Sequence, residues 1–237
     1  MKVAIMQPYL FPYIGYFQLI NAVDEFVVYD NIEFTKKGWI NRNRILVNGK
    51  DACISFPLKK DSDYLNVNER YLSDNWPDER KKLLNKITEL YRKGPHFKMA
   101  MPIIENAFLC GDSNLFQFIL HTIKVLIQYL QIKTPLIISS TIDIAHSLKA
   151  ENKVLEICKQ RGADIYINPI GGIELYKKAT FKNHGIDLFF LKTENIIYPQ
   201  FNNTFIPFLS IIDVMMFNSA NEIKNYLDNC FTLINKV

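Results

Sequence analysis

Short apolar runs alternate with amphipathic stretches at both ends of the chain, and the middle is patterned for helices. Residues 2–6 read as a buried strand, 14–22 as a short helix and 26–29 as a second strand. Residues 44–47 and 53–56 flank Asn48-Gly49, a dipeptide that predicts a tight hairpin because both residues accept positive φ. After Pro77, residues 78–131 keep a helical period. Leu83, Ile87 and Leu90 mark one face, and Leu115, Phe118, Ile119, Thr122, Leu126, Tyr129 and Leu130 mark a longer helix that Ser113 would cap. Strand, helix and strand then follow at 136–140, 150–161 (closed by Gly162) and 165–168, with a further strand at 188–191. Ser219 and Glu222 form the capping-box pattern of a last helix, with Ile223, Tyr226, Leu227, Cys230, Leu233 and Ile234 turned inward.

Beta–alpha alternation at both ends predicts an α/β fold of three layers. Its sheet is mostly parallel and Rossmann-like, with a β-hairpin and a helical insertion over 74–131, all within a single domain of 1–237. The G-x-G-x-x-G fingerprint is absent, so no dinucleotide site is expected.

Composition narrows the classes. With 237 residues, 49% of them hydrophobic, the chain can bury a substantial core. A net charge of +4 without a Lys/Arg run suits a small anionic ligand and gives no reason to expect nucleic acid. Cys53, Cys110, Cys158 and Cys230 are far apart, which predicts free thiols and no metal site. The opening MKVAIMQP is too short for a secretory signal, and His121, Lys124 and Gln128 interrupt the apolar stretch near 120. A cytoplasmic protein without a membrane helix is expected; its oligomeric state is open.

The chemistry concentrates in two blocks. The first runs from Gln7 to Arg44. Pro8 and Pro12 stiffen the loop that leaves the first strand, Tyr9, Tyr13 and Tyr16 make it aromatic, and Gly15 would permit a close approach. Asp30 ends the second strand, and Lys36, Lys37, Trp39, Asn41, Arg42, Asn43 and Arg44 follow. Carboxylate, cations, amides and an indole beyond a strand suit an anionic, partly planar ligand. Asp30, Lys36 and Arg42 are the candidates for catalysis. On an extended strand Arg42 and Arg44 share one face, and Asn41 and Asn43 take the other. Arg42 would grip an anion with two parallel hydrogen bonds, or else pair with Asp30 to close the loop. In the second block, Asn168, Gly171 and Gly172 end a strand where open parallel sheets hold ligands, and should meet Gln7, Tyr9 and Gly15 in one pocket. Tyr198, Gln200, Ser210 and Asp213 complete the candidate set, Asp213 either anchoring its loop or facing the ligand. His96, His121, His146 and His184 lie outside both blocks and read as structural or surface residues.

The pattern QPYLFPYIGYFQLI, the acidic Asp30 and KKGWINRNRI, together with GADIYINPIGG and the positions Tyr198, Gln200, Phe205, Pro207 and Ser210-Ile211-Ile212-Asp213, resembles the WbqC-like family of bacterial polysaccharide-cluster proteins. The resemblance implies a role around O-antigen or related cell-surface sugars. Pro12 to Tyr16 is also similar to the H-x-G-H loop of adenylyl-transferring enzymes, with Tyr13 and Tyr16 where those enzymes have histidines. A phenol is neutral at pH 7, so positive charge would have to come from Lys36, Lys37, Arg42 and Arg44.

Three functions fit these readings. One is attachment of an acyl or amino-acyl group to an amino sugar carried on a nucleotide, using ATP or a ready-made acyl donor. Another is nucleotidylyl transfer that makes an activated sugar. The third is nucleotide-sugar binding without catalysis. No G-x-S-x-G, P-loop or Cys–His pairing supports a hydrolase or kinase.

Overall fold

The structure, a computed structural model, describes residues 1–235. Among these, a six-stranded sheet is built from β1 (Lys2–Met6), β2 (Glu25–Val28), β5 (Leu136–Ile138), β6 (Ile165–Pro169), β7 (Asp187–Thr193) and β8 (Phe231–Ile234), in the order β5-β2-β1-β6-β7-β8. Every pairing is parallel except β7 with β8. The antiparallel hairpin β3 (Arg42–Val47) and β4 (Lys50–Ser55) stands as a separate two-stranded sheet. Its turn residues Asn48 and Gly49 have φ of 50° and 75°, the left-handed pair that a two-residue hairpin turn requires.

Strand side chains alternate between two cores. Ala4, Phe26, Val28, Ile167 and Leu191 face one, and Val3, Ile5, Val27, Tyr166 and Phe190 face the other. Both faces are therefore covered, as near-continuous apolar strands of a parallel sheet require. The first core is roofed by α1 (Ile14–Asn21), α7 (Ile211–Phe217) and α8 (Ala220–Asn229). It is continuous with the apolar faces of α2 (Trp76–Tyr91), α3 (Phe97–Ala107) and α4 (Leu115–Tyr129). The second core lies under α5 (Ala150–Gln160) and α6 (Lys178–Lys182).

Three local expectations change. The last helix stops at Asn229, and Phe231–Ile234 becomes strand β8 on the free edge of β7. Aromatic and branched side chains favour that edge over another helical turn. The cap of α4 is Asn114, whose side chain accepts from Gln117 N at 3.2 Å, because Ser113 turns its carbonyl to Leu72 N instead. Strand β5 is cut to three residues, since residues 139–141 turn into a 3₁₀ helix whose Ser139 and Ser140 bind Asp30.

Strand order reverses at β1. One neighbour, β2, follows through α1 on one face; the other, β6, is reached through α5 on the opposite face. The loops leaving β1 and β6 diverge there, and a crevice opens beyond the carboxyl ends of the strands.

Candidate functional site

A cleft of about 880 Å³ occupies this crevice. That volume lies within the usual range of small-molecule sites. Its floor is made by strand ends: Met6 and Gln7 from β1, Tyr29 and Asn31 after β2, Asn168 and Pro169 from β6. Glu33, Tyr64 and Asn66 form one wall; His146 to Glu151 and Lys153, at the start of α5, form another; Gly171, Gly172 and Tyr176 close the third.

Lys153 is the cation set deepest here. Its residue is 3% exposed, yet among the described residues Nζ makes a single long hydrogen bond, 3.4 Å to the Asn31 carbonyl, and lies 4.9 Å from the centre of the Tyr29 ring. Burial lowers its pKa, and the nearby Asp30 charge partly opposes that shift. An ammonium with three donors and one weak partner is under-satisfied. The first turn of α5 beside it has no side-chain cap from Lys149, a terminus of the kind that attracts anions, although it also carries Glu151, whose carboxylate accepts from Lys177 N at 2.8 Å. Burial, with Tyr176 nearby, pushes the Tyr29 phenol up to about 12, so this wall is a neutral hydrogen-bonding surface at pH 7.

Gly172 has a definite steric role. A Cβ there would lie 2.0 Å from Asn168 Nδ2, whereas one on Gly171 would meet nothing within 4 Å. The buried Asn168 amide is held between the Tyr166 hydroxyl (3.1 Å) and the Pro169 carbonyl (3.3 Å). A side chain at 172 would displace it.

Beneath the cleft, Asp30 is a polar hub. One carboxylate oxygen accepts from Ser139 Oγ and Ser140 N (both 2.9 Å), the other from Ser140 Oγ (2.6 Å) and Asn68 Nδ2 (2.8 Å). It joins the end of β2 to the turn after β5 and does not itself line the cleft. Above it Asn31 Nδ2 lies 2.9 Å from His146 Nδ1, and His146 Nε2 has no hydrogen-bond partner among the described residues.

Of the sequence candidates, Gln7, Tyr9, Asn168, Gly171 and Gly172 come together in this cleft. The others do not reach it. Gly15 packs under β7, where a Cβ would meet Thr193 Oγ1 at 2.5 Å. Tyr16 is buried and donates to the Gln7 carbonyl at 3.0 Å; Tyr13 lies edge-on against Phe208. Arg42 does not pair with Asp30: it donates to the Gly38 carbonyl at 2.8 Å and to the Lys37 carbonyl. Arg42 and Arg44 do share a face, both lying over the Trp39 ring at 5.4 and 5.6 Å. On the other face Asn41 binds the Phe56 carbonyl, and Asn43 binds those of Leu10 and Phe11. Lys36 pairs with Asp63 at 2.6 Å, and Lys37 is exposed.

The second block closes on itself. Asp213, fully buried, accepts from Tyr91 Oη and Tyr198 Oη (2.8 Å each) and from Gln200 Nε2 (2.7 Å). Burial raises its pKa, and those three hydrogen bonds oppose the shift. Gln200 also pins Ile206 through both its backbone groups, and Ser210 caps α7 while donating to the Phe11 carbonyl. Asp213 anchors its loop.

Lys153, Lys149, Asn31 and Tyr29 escape the sequence reading as site residues, and His146 reads there as a structural or surface residue. A signal existed for one of them. The buried residues of α5 are 153, 154, 155, 157 and 158, so Lys153 is a cation on an otherwise apolar stripe.

The WbqC-like protein family model matches residues 7–225. The chain is also 28% identical over 231 residues to the uncharacterized protein Rv1507c of Mycobacterium tuberculosis, covering 97% of this chain and 98% of that protein. No solved structure matches significantly.

Proposed function

The chain belongs to the WbqC-like protein family, and on that premise we propose that it serves cell-surface polysaccharide biosynthesis by attaching an acyl or amino-acyl group to a nucleotide-linked amino sugar held in the cleft. The observation that carries this reading is Lys153, a buried, under-bonded ammonium at the switch point of a parallel sheet. A diphosphate there would satisfy its free N–H groups and meet the uncapped first turn of α5, with Lys149 at the rim. Tyr64, 83% exposed on the lip, offers a flat face for a base, and Gln7, Asn168 and Glu33 offer hydrogen bonds for a sugar.

Thermal melts of the full chain against UDP-, dTDP- and GDP-linked amino sugars, ATP and acyl thioesters test this. A ligand at a hundredfold over its Kd adds about 2.7 kcal/mol of apparent stability. Stabilisation by a nucleotide-linked amino sugar is expected, with loss of that response in Lys153→Met. Stabilisation by ATP and a sugar phosphate, with release of pyrophosphate, would replace this reading with nucleotidylyl transfer.

A further inference from the structure

The hydrogen bonds beneath the cleft are one proton short. Ser139 Oγ lies 2.9 Å from Asp30 Oδ1 and 2.6 Å from Asn31 Oδ1. Both oxygens are acceptors, and a hydroxyl has one proton to donate. Asp30 takes two donors on each oxygen, the acceptor set of a full carboxylate. A charge-assisted hydrogen bond is the stronger of the two, so the Ser139 proton belongs to Asp30. Ser139 then turns lone pairs toward Asn31, and only the nitrogen end of that amide can meet them. The two ends of an asparagine amide occupy nearly the same space and exchange by a half-turn; the surrounding donors and acceptors decide which is which.

We infer that Asp30 and Ser139 orient the Asn31 amide with its nitrogen toward Ser139 and its oxygen toward His146, which fixes a proton on His146 Nδ1 and leaves Nε2 as a bare, basic nitrogen in the cleft. The 2.9 Å separation of Asn31 and His146 suits a hydrogen bond in this sense too, with His146 Nδ1 now the donor, while the 2.6 Å contact with Ser139 Oγ has to open by a few tenths of an ångström to become an N–H···O bond. The histidine is exposed on the cleft wall, and Nε2 has no partner among the described residues.

This inference rests on the proposed function and gives its site a proton acceptor. The neutral amine of the amino sugar attacks the carbonyl carbon of the acyl donor, and a C–N bond forms. The nitrogen loses its surplus proton to His146 Nε2, and the bond to the donor's leaving group breaks with its electron pair going to that group. Asp30, Ser139 and Asn31 are positioning residues: they settle which imidazole nitrogen is free. With the opposite orientation, His146 would present an N–H donor to the cleft and could take no proton at Nε2.

The tautomer is measurable without any substrate. Long-range ¹H–¹⁵N correlation spectra of the full chain, with His146→Gln used to assign the ring among the four histidines, distinguish the protonated nitrogen from the bare one. The expected spectrum, at a pH where the ring is neutral, has Nδ1 protonated and Nε2 bare. Ser139→Ala should move the ring toward the Nε2-protonated form while the amide spectrum stays that of the native fold. A wild-type ring protonated on Nε2, or a Ser139→Ala ring unchanged from wild type, would overturn the inference even if nucleotide sugars bind. The expected tautomer in a chain that binds no nucleotide sugar would uphold the proton placement and remove the functional reading.

Discussion

The cleft at the end of β1 and the cluster around Trp39 are built from the same kinds of residue, yet they treat their polar groups differently. In the Trp39 cluster Arg42, Asn41 and Asn43 direct their donors at backbone carbonyls, and Arg44 pairs with Asp51 at 3.0 Å. Most of its donors bind the chain to itself; Lys37 points to solvent, and Arg44 Nε has no hydrogen-bond partner among the described residues but is itself buried. In the cleft, Lys153 has one long hydrogen bond, and the Nε2 of His146 has none among the described residues. The density of charged and aromatic residues along the sequence does not separate these cases; the bonds still open to a ligand do. Asp213 extends the first pattern, since three neutral donors already surround its carboxylate.

The largest expected effect falls on the self-bonded side. Asp213→Ala strands two tyrosine hydroxyls and a glutamine amide in the core, which should cost about 3–5 kcal/mol, read as a lower urea midpoint. A loss under about 1 kcal/mol would mean that water already shares these donors.

Next is Lys153→Met, where stability and binding should move in opposite directions. Replacing a buried charge by an apolar side chain of similar length should leave the free protein equally stable or raise it by about 1 kcal/mol. Affinity for a nucleotide-linked sugar should fall tenfold or more, about 1.4 kcal/mol. Parallel losses of both would place Lys153 among the structural residues.

Gly172→Ala and Gly171→Ala sharpen the contrast within one loop. The first drives a methyl into the Asn168 amide and should cost about 1–3 kcal/mol by overpacking, together with ligand response. The second meets open space and should stay within about 0.5 kcal/mol of wild type. Equal melting curves for the two would show that the loop adapts freely.

The smallest effect concerns pH. Burial raises the pKa of Asp213 in the fold, so the native state holds that proton over a range where the unfolded chain has released it. Between the ordinary carboxylate value and the raised one, stability must therefore fall as pH rises. The margin of wild type over Asp213→Asn should shrink from acid toward neutral pH in paired urea titrations. A margin that grows would reverse the sign of the shift.

The architecture was legible because it rests on period and punctuation. Apolar runs of four or five residues between helical stripes, and Asn48-Gly49, placed most strands and the hairpin. Residues 231–234 were misread because Leu233 and Ile234 also continue the helical spacing of α8, and four residues are too few to distinguish the two periods. The cleft was half legible. Gln7, Asn168, Gly171 and Gly172 follow strands, where parallel sheets place ligands; His146, Lys149 and Lys153 come from a loop and helix more than 100 residues beyond β2. Only the strand order brings them beside it. Conversely, Asp30 and Arg42 are near in sequence, but turning the loop inward gave each its own partners.

Calorimetric titration of one nucleotide-linked amino sugar, selected by the melts, into wild type, Lys153→Met and Arg42→Lys compares the two regions directly. Arg42→Lys removes hydrogen bonds to the Gly38 and Lys37 carbonyls and should lower stability by about 1 kcal/mol. The expected result is a tenfold or greater loss of affinity in Lys153→Met, with Arg42→Lys binding like wild type. Unchanged affinity in Lys153→Met with a large loss in Arg42→Lys would contradict the cleft assignment and move the ligand to the Trp39 cluster.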